Sequence, residues 1–200
     1  MSFWTDGGNA EDPKRNFRFK VSIGGFADAN AKKASEEADD QLVWYAKKVQ
    51  KPNFTTAESK HVFMGHTFYW PGKTEWQEIT LTLVDPVTPN ASGILYNIVQ
   101  NSGFVIPAKD RLITQGKQKS VLSLGAFSIE QINSDGVTIE KWELKNPFIK
   151  KISFSDLDYE NDDLTTIDIG IRYDWATCAT GLVDGALPYF NANKGQGQFS

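Results

Sequence analysis

Histidine is the commonest side chain in metal binding and acid–base catalysis, and the chain contains two, His61 and His66. They stand five positions apart in a segment whose residue types predict a strand, 61–70. Side chains of a strand alternate between its two faces, so this odd spacing places the imidazoles on opposite faces. The pair therefore predicts two ordinary strand residues rather than a metal site.

A run of carboxylates near the end of the chain superficially resembles a calcium-binding loop. Its acids occupy alternate positions: Asp156, Asp158, Glu160 and Asp162. An EF-hand loop requires glycine at its sixth position and a bidentate glutamate at its twelfth, and those positions hold Asn161 and Ile167. The run therefore predicts a charged, solvated turn between two strands.

The sequence lacks the other common catalytic patterns. It has no GxSxG nucleophile elbow, no Walker loop and no GxGxxG motif. The single cysteine, Cys178, has no histidine or asparagine near it in the sequence, which favours a buried or tail thiol over an activated one. One cysteine also excludes an internal disulfide and fits a reducing cytosol. We therefore expect no catalytic residue, no bound metal, no cofactor and no enzymatic activity.

Length and charge narrow the class of protein further. The 200 residues, with a mass of 22.3 kDa, suffice for one sizeable core and are too few for two comfortable domains. Acids outnumber bases by 25 to 21, so the net charge is −4 and the chain is a poor candidate for binding nucleic-acid phosphates. Its apolar runs are too short for a membrane-spanning helix, and its first residues lack the apolar region of a signal peptide. We expect an intracellular protein without a membrane anchor.

Alternation of apolar and polar residues, which is typical of half-buried strands, dominates the chain. We predict strands over the following segments: 17–23, 42–50, 61–70, 76–84, 121–132, 137–144, 147–155 and 164–175. The sequence PGKTE predicts a hairpin turn between the third and fourth of these strands. Asp135-Gly136 predicts a second hairpin turn, between the fifth and sixth.

One segment, 91–102, has its apolar residues at helical spacing, with Asn90 or Ser92 as the N-cap and Gly103 at the far end. The segment 107–119 is predicted as a basic connection. Because strands predominate without βαβ alternation, we predict a mainly β fold, an antiparallel barrel or sandwich with one flanking α-helix.

This pattern predicts a single β domain over residues 16–178. A polar insertion at 25–41, which we predict to be a long loop, interrupts it. An N-terminal arm, 1–15, precedes the domain, and a polar, glycine-rich C-terminal arm, 179–200, follows it and is predicted to be flexible.

Several tryptophans on the predicted strands suggest an alternative function of a different class, a carbohydrate-binding β-sandwich. The residues of such a platform are Trp70, Trp76, Trp142 and Trp175. Tryptophans on strands more often anchor a core or an interface, which favours the structural interpretation.

The order of several segments resembles that of the tail tube proteins of contractile-tailed bacteriophages, the T4-like group. The similar segments are FRFKVSIGG, AKKVQKPNF, YWPGKTEWQEITLTLVDP and DGVTIEKWELKNPFIKKISFSDLDYENDDLTTIDIGIRYDWA. They span about residues 15–178, and it is their order rather than any one motif that carries the resemblance.

The resemblance implies a β-barrel or sandwich with one flanking helix, six copies of which form a ring. Rings stack into a hollow tube inside a contractile sheath, so the implied partners are other copies, sheath subunits, and baseplate or tail-terminator proteins. DNA passes through the lumen without specific binding, and the implied location is the virion tail after assembly in the host cytoplasm. Related subunits build the tubes of type VI secretion systems and other contractile injection machines, and the sequence leaves that alternative open.

The resemblance and the strand pattern together indicate two sets of contact residues. Contacts between stacked rings are predicted for the N-terminal arm and for the segment 52–61, which we predict to be irregular. Their anchors are Phe3, Trp4, Phe54 and Lys60. Sheet shared between neighbouring subunits is predicted to come from the segments 121–132, 137–144 and 164–175. The residues that represent it are Ile129, Ile139, Ile169 and Ile171.

The wall of the lumen should be polar and weakly acidic, because such a wall repels phosphate and lets DNA slide. The candidates are polar residues of the long strands: Ser128, Glu130, Thr166, Asp168 and Asp174. Either face of each strand could line the lumen, and the sequence leaves that choice open.

Overall fold

The computed structural model describes residues 13–25, 45–88, 90–105, 113–160, 162–180 and 188–189. The predicted N-terminal arm, polar insertion and C-terminal arm lie largely outside these residues, and so do Phe3 and Trp4. The described strands are β1 (Phe19–Ile23), β2 (Ala46–Val49), β3 (Phe54–Phe63), β4 (His66–Trp76), β5 (Ile79–Val84), β6 (Phe127–Ile132), β7 (Thr138–Lys145), β8 (Phe148–Phe154), β9 (Thr166–Arg172), β10 (Trp175–Thr180) and β11 (Pro188–Tyr189). The described helices are α1 (Ala91–Asn101) and α2 (Lys117–Leu124), neither long and apolar enough to cross a membrane.

The strands form three antiparallel sheets. The first has the order β1-β6-β7-β10-β11, the second the order β2-β5-β9-β8, and the third is the hairpin β3-β4. The first two sheets share one apolar core, so the mainly β antiparallel prediction is confirmed. Neither sheet closes on itself within the described residues, and the fold is therefore an open sandwich rather than a closed barrel.

The core follows from strict alternation on the central strands. On β5 the buried residues are Ile79, Leu81 and Leu83, and on β9 they are Ile167, Ile169 and Ile171. The two sets lie opposite each other in register, with Leu81 beside Ile169. The first sheet contributes a matching inner face with Val21, Phe127 and Ile129. Because every second residue of these strands is buried in this core, the residues between them lie on the outer faces of the two sheets.

Helix α1 begins and ends where its sequence predicts. The Asn90 Oδ1 accepts a hydrogen bond of 2.8 Å from the Gly93 backbone N–H, so Asn90 rather than Ser92 is the N-cap. After the helix, Gly103 has a φ of 100°, and a Cβ there would lie 2.8 Å from the Thr114 carbonyl oxygen. Glycine is therefore required at that position for two independent reasons.

The structure describes a helix, α2, that the sequence pattern does not predict. Helix α2 occupies part of the predicted basic connection 107–119 and the first residues of the predicted strand 121–132, which begins only at Phe127. It buries a single residue, Leu124, and ends at Gly125, whose φ is 71°. With one buried position, the helix has no apolar stripe for the sequence pattern to reveal.

The prediction of a hairpin turn at PGKTE is wrong. The turn lies at Met64-Gly65, with φ values of 47° and 78° as a type I′ turn requires, and PGKTE lies inside β4. Pro71 is tolerated there because it lies opposite Glu58 at an irregularity in the register of an exposed two-stranded ribbon. The segment 76–84 belongs mostly to β5, in another sheet. The segment 52–61, predicted to be irregular, is strand from Phe54 onward.

The predicted strand 164–175 is two strands. Strand β9 ends at Arg172, and the chain crosses at Tyr173-Asp174 into β10 of the other sheet. By contrast, the hairpin at Asp135-Gly136 is confirmed, and it joins β6 to β7. The Asn133 side-chain oxygen stabilises that turn by accepting hydrogen bonds of 2.9 Å from the backbone N–H groups of Asp135 and Val137.

We expect Ile169→Ala to lower the free energy of unfolding by about 2–5 kcal/mol, because it opens a cavity at the centre of the core. Ile169 is 1% exposed and lies between β5 and β8. Denaturant titration measures the change. The control is Val87→Ala, at a side chain that is 97% exposed, with an expected change below about 0.5 kcal/mol. Equal effects of the two substitutions would contradict the assigned core.

Candidate assembly surfaces

The hairpin β3-β4 is the largest feature outside the shared core. It pairs from Phe54 opposite Trp76 at its base to Phe63 opposite His66 at its tip, and nearly all of its residues are exposed. The base is fixed to the body by aromatic contacts, with ring centroids 5.1 Å apart for Phe54–Trp76 and 5.9 Å apart for Trp76–Tyr173. A two-stranded ribbon that packs on nothing else is marginally stable in water, so the hairpin is suited to a partner.

The hairpin is divided along its length into a polar base and an apolar end. The exposed apolar side chains of the outer half, which we call the apolar end, are Val62, Phe63, Met64, Phe68, Tyr69 and Trp70. The base carries hydroxyl and charged residues instead, including Thr55, Thr56, Glu58, Thr74 and Glu75. Exposed apolar groups concentrated in this way mark an interaction surface.

The two histidines lie on the same face of this hairpin, contrary to the sequence argument, because the turn at 64–65 separates them. His61 is opposite Phe68 and His66 is opposite Phe63. The imidazole of His61 instead contacts Trp70, with ring centroids 6.2 Å apart. Among the described residues, no three histidine, cysteine or acidic side chains come close enough to hold a metal ion.

Of the predicted anchors between rings, Phe54 and Lys60 lie on β3, and Phe3 and Trp4 lie outside the described residues. Phe54 is half-exposed at the base of the hairpin, where it packs on Trp76. Lys60 is exposed opposite Tyr69, beside the apolar end. Both residues therefore belong to the hairpin, although neither belongs to its apolar end.

The residues predicted for sheet pairing between subunits lie on internal strands. Ile129 is on β6, Ile139 on β7, and Ile169 and Ile171 on β9. Each of these strands is already paired on both sides within the chain. Their backbone groups are therefore unavailable to a neighbour. Among the described residues, the strands that pair on one side only are β1, β2, β8 and β11 in the two larger sheets, and both strands of the hairpin, β3 and β4.

The predicted lumen residues divide between two surfaces. Ser128 and Glu130 lie on the outer face of the β1-β6-β7-β10-β11 sheet, where Lys141 Nζ is 3.1 Å from a Glu130 carboxylate oxygen. Thr166 and Asp168 lie on the outer face of the other sheet, where the Thr82 hydroxyl donates a 2.6 Å hydrogen bond to Asp168. Opposite outer faces of one sandwich cannot line a single bore, so at most one of these pairs can do so.

Asp174, the fifth lumen candidate, lies where the chain crosses between the sheets. The Lys117 ammonium donates hydrogen bonds of 2.8 and 2.7 Å to its carboxylate, and the Asn146 amide donates one of 2.8 Å. These bonds, first that from Lys117 and then that from Asn146, hold the pKa of Asp174 below its usual value. The residue fastens the N-terminus of α2 to the crossing.

A buried carboxylate that the sequence analysis missed, Glu140, lies on the inner face of β7 and is 7% exposed. It accepts hydrogen bonds from the Lys51 ammonium at 2.6 Å, from the Trp142 indole N–H at 2.5 Å, and from the Lys14 ammonium. Lys51 also donates a 2.7 Å bond to Gln131. Since Lys14 precedes β1 and Lys51 precedes the hairpin, one carboxylate fastens both connecting segments to the sheet.

The pKa of Glu140 falls from an ordinary 4.5 to about 2. Burial alone would raise the pKa, and the hydrogen bonds from Lys14, Lys51 and Trp142, with the charge of Lys51, outweigh it. The sequence contains a signal for this role of Glu140, because alternation places Glu140 on the same strand face as two large apolar side chains, Trp142 and Leu144. An acid on a core-facing position requires partners.

Two other sequence-based interpretations concern Cys178 and the tryptophans. The Cys178 thiol is free and buried, and burial, followed by the charge of Glu140, raises its pKa. The tryptophans do not form one platform, since Trp76 and Trp142 pack against the core whereas Trp70 lies on the hairpin. This separation argues against the carbohydrate-binding alternative.

We expect Glu140→Gln to lower the free energy of unfolding by about 3 kcal/mol at pH 7, the equivalent of a pKa lowered from 4.5 to about 2. A carboxylate with a lowered folded pKa contributes stability that is present above about pH 4.5 and lost as the pH falls towards 2. The wild-type chain should therefore lose this contribution over that range, and the variant should not.

Denaturant titrations at several pH values measure the difference. Glu143→Gln, on the outer face of the same strand beside Lys145, is the matched control and should change stability by less than about 1 kcal/mol. A difference between wild type and Glu140→Gln that is independent of pH would contradict the assigned role of the carboxylate.

Comparison with known proteins adds a likeness in fold. No family model matches the chain, and no curated protein matches it in sequence. A chain in the cryo-EM structure of the sheath/tube terminator of PVC, an extracellular contractile injection system, in its extended state, superposes with a TM-score of 0.58 at 17% identity. The match covers 85% of this chain and 99% of that one.

Two further solved structures contain chains with a similar fold. A chain in the cryo-EM structure of the anti-feeding prophage cap, which terminates the tube, matches with a TM-score of 0.57 at 18% identity, over 90% of this chain and 100% of that one. A chain in the PVC sheath–tube complex matches with a TM-score of 0.54 at 17% identity, over 86% and 94%. The chain therefore shares its fold with chains from tube-type assemblies of contractile injection systems.

Proposed function

We propose that this chain is a structural subunit of the tube of a contractile injection apparatus, with six copies in a ring and rings stacked into a hollow conduit. The observation that carries the proposal is the exposed hairpin β3-β4, whose apolar end has no partner among the described residues of the body. The likeness to chains from a terminator, a cap and a sheath–tube complex supports the same role.

The sheet edges are consistent with assembly. Strands β1, β2 and β8 each pair on one side only within the described chain. A neighbouring copy that adds its own edge satisfies the free backbone groups, and a head-to-tail contact of this kind closes into a ring when its rotation allows. Lysines on the edge strand β8, Lys150 and Lys151, discourage indiscriminate pairing.

At a finer level, the proposed apparatus is the tail of a T4-like bacteriophage, whose tube conducts DNA into the host. The resemblance of the segments between residues 15 and 178 supports this version. The partners are then sheath subunits and baseplate or terminator proteins, the chain is not an enzyme, and the location is the virion tail after assembly in the host cytoplasm. The other version is the tube of a type VI-like secretion system.

A second candidate is a terminal subunit that ends the tube, because two of the similar chains come from a terminator and a cap. Negative-stain microscopy of the purified chain at increasing concentration separates the two. Stacked rings of constant diameter support the tube subunit, and single rings that never stack support the terminal subunit. A chain that stays monomeric at high concentration contradicts both.

We expect Phe63→Ser combined with Met64→Ser to leave rings intact and abolish their stacking, because the substitutions remove the apolar end at its tip. Sedimentation velocity and microscopy measure ring and stack populations. The matched control is Glu58→Ser combined with Lys73→Ser, two exposed substitutions at the base of the same hairpin, after which stacking should persist. Stacks of unchanged length in the first variant would show that the apolar end does not join rings.

We propose that the outer face of the β2-β5-β9-β8 sheet lines the lumen, because it presents small hydroxyl side chains. They are Thr80, Thr82, Ser153 and Thr166. The same face carries the acid Asp168, the lysines Lys48 and Lys151, and one lysine–glutamate pair, Lys150 with Glu78 at 2.5 Å. On the other outer face, lysine–glutamate pairs such as Lys145 with Glu143 at 3.1 Å predominate and small hydroxyl groups are fewer. A polar lining without apolar anchors suits a surface along which DNA slides.

Thr80→Cys tests this assignment, since Cys178 is buried and contributes little background. In assembled tubes the new thiol should react with a small maleimide, and with a maleimide on a long polyethylene glycol only after dissociation. Glu143→Cys is the control for the opposite face and should react with both reagents in either state. The reverse pattern would assign the lumen to the other sheet.

A further inference from the structure

The loop between β8 and β9 exposes large apolar side chains that the core does not use. Leu157 is 86% exposed, Leu164 is 70% exposed, and Tyr159 is fully exposed. Acids surround them: Asp156, Asp158, Glu160, Asp162 and Asp163. All described residues of the loop, 155–160 and 162–165, are exposed. We call this segment the acidic loop. Apolar anchors within a charged rim are the usual composition of an interface hot spot.

A groove of complementary chemistry lies between the two helices, with a volume of about 690 Å³. Its apolar lining comes from α1, from α2 and from the residues next to them: Ile98, Val105, Ile113 and Leu122. Ile113 and Leu122 are substantially exposed, so the groove is open to solvent. Lys119 is its cationic rim, and α2 contains no acidic residue. We call this the helix groove.

The acidic loop and the helix groove lie towards opposite ends of one strand. The N-terminal residues of α2, Lys117 and Ser120, line a cleft together with Phe148 and Ile149 at the start of β8. The acidic loop begins at Ser155, after the seven residues of β8, which span about 20 Å. The chain therefore carries a projecting acidic and apolar element at one end of β8 and a receiving basic and apolar element near the other.

The acidic loop cannot fill the helix groove of its own chain. Its two ends are held together by the hydrogen bond of 3.0 Å from the Ser155 N–H to the Thr166 carbonyl. From that point about five residues project, which reach at most about 17 Å when fully extended. The loop instead borders a cavity that Lys47 of β2 also lines.

We infer that the acidic loop of one copy docks into the helix groove of a second copy, placing Leu157 and Tyr159 among the groove's apolar residues and the loop's carboxylates beside Lys119. Because the two surfaces differ, the contact is head-to-tail, and its repetition generates a closed ring or a stack. This inference rests on the proposed function, because it requires that copies of the chain associate with one another. The apolar end of the hairpin is less suited to the groove, since the adjacent Lys60 would lie against a basic rim.

A charge exchange tests the contact in the full chain. The loop variant is Asp156→Lys with Glu160→Lys and Asp162→Lys, which changes the net charge of the loop from −5 to +1, and the groove variant is Gln118→Glu with Lys119→Glu. All five side chains are exposed, so folding should be retained. Each variant alone places like charges together, and we expect self-association to weaken by more than about tenfold in sedimentation velocity. An equimolar mixture of the two should recover association, since each loop then meets a groove of opposite charge.

A single chain that carries all five substitutions should also associate, and it controls for folding because it contains every change. The inference is overturned if the single variants associate like wild type, or if neither the mixture nor the combined chain recovers. Rings that form independently of these charges would leave the proposed function intact and remove the inference. Charge-dependent head-to-tail chains that never close into rings would support the inference and contradict the proposed function.

Discussion

The constraint on which the structure depends is the apolar packing of two antiparallel sheets against one another. Strands β5 and β9 direct every second side chain into that core, and β6 does the same from the other sheet. Since strand alternation is strict, burial of one face exposes the other along the same strand. Surfaces that could serve assembly therefore lie on outer faces, at sheet edges or in connections.

This constraint also explains why the connections matter so much. Among the described residues, the hairpin β3-β4 contacts the body through aromatic side chains at its base, and the side chains of its outer half are exposed rather than packed in the core. Glu140 stabilises the attachment of the hairpin to the body, because its ion pairs with Lys14 and Lys51 fix the two segments that lead into β1 and the hairpin. A rigid base turns a marginal ribbon into an element that presents its apolar end in a defined direction, which lowers the entropy cost of docking.

Sequence reasoning succeeded where one physical signal dominated. The alternation of β9 and the Asp135-Gly136 turn predicted strand and hairpin correctly, because burial and a positive φ each demand particular residue types. It failed where signals competed. The Pro-Gly pair outweighed Met64-Gly65 as a turn signal, although an exposed ribbon tolerates proline at a bulge. Helix α2 was missed because it buries only Leu124. The order of strands within a sheet, which decides whether the strand of Ile169 is internal or at an edge, leaves no local trace in the sequence.

The distribution of charge along the chain is compatible with the proposed self-association of an acidic protein. A net charge of −4 opposes contact between copies on average, but the charge is not evenly distributed. Five carboxylates are collected in the acidic loop, whereas α2 has lysines and no acid. Separation of charge between two ends of β8 makes head-to-tail contact attractive and leaves head-to-head contact repulsive. Salt screens both within about 10 Å, so the apolar side chains supply most of the affinity and the charges select the orientation.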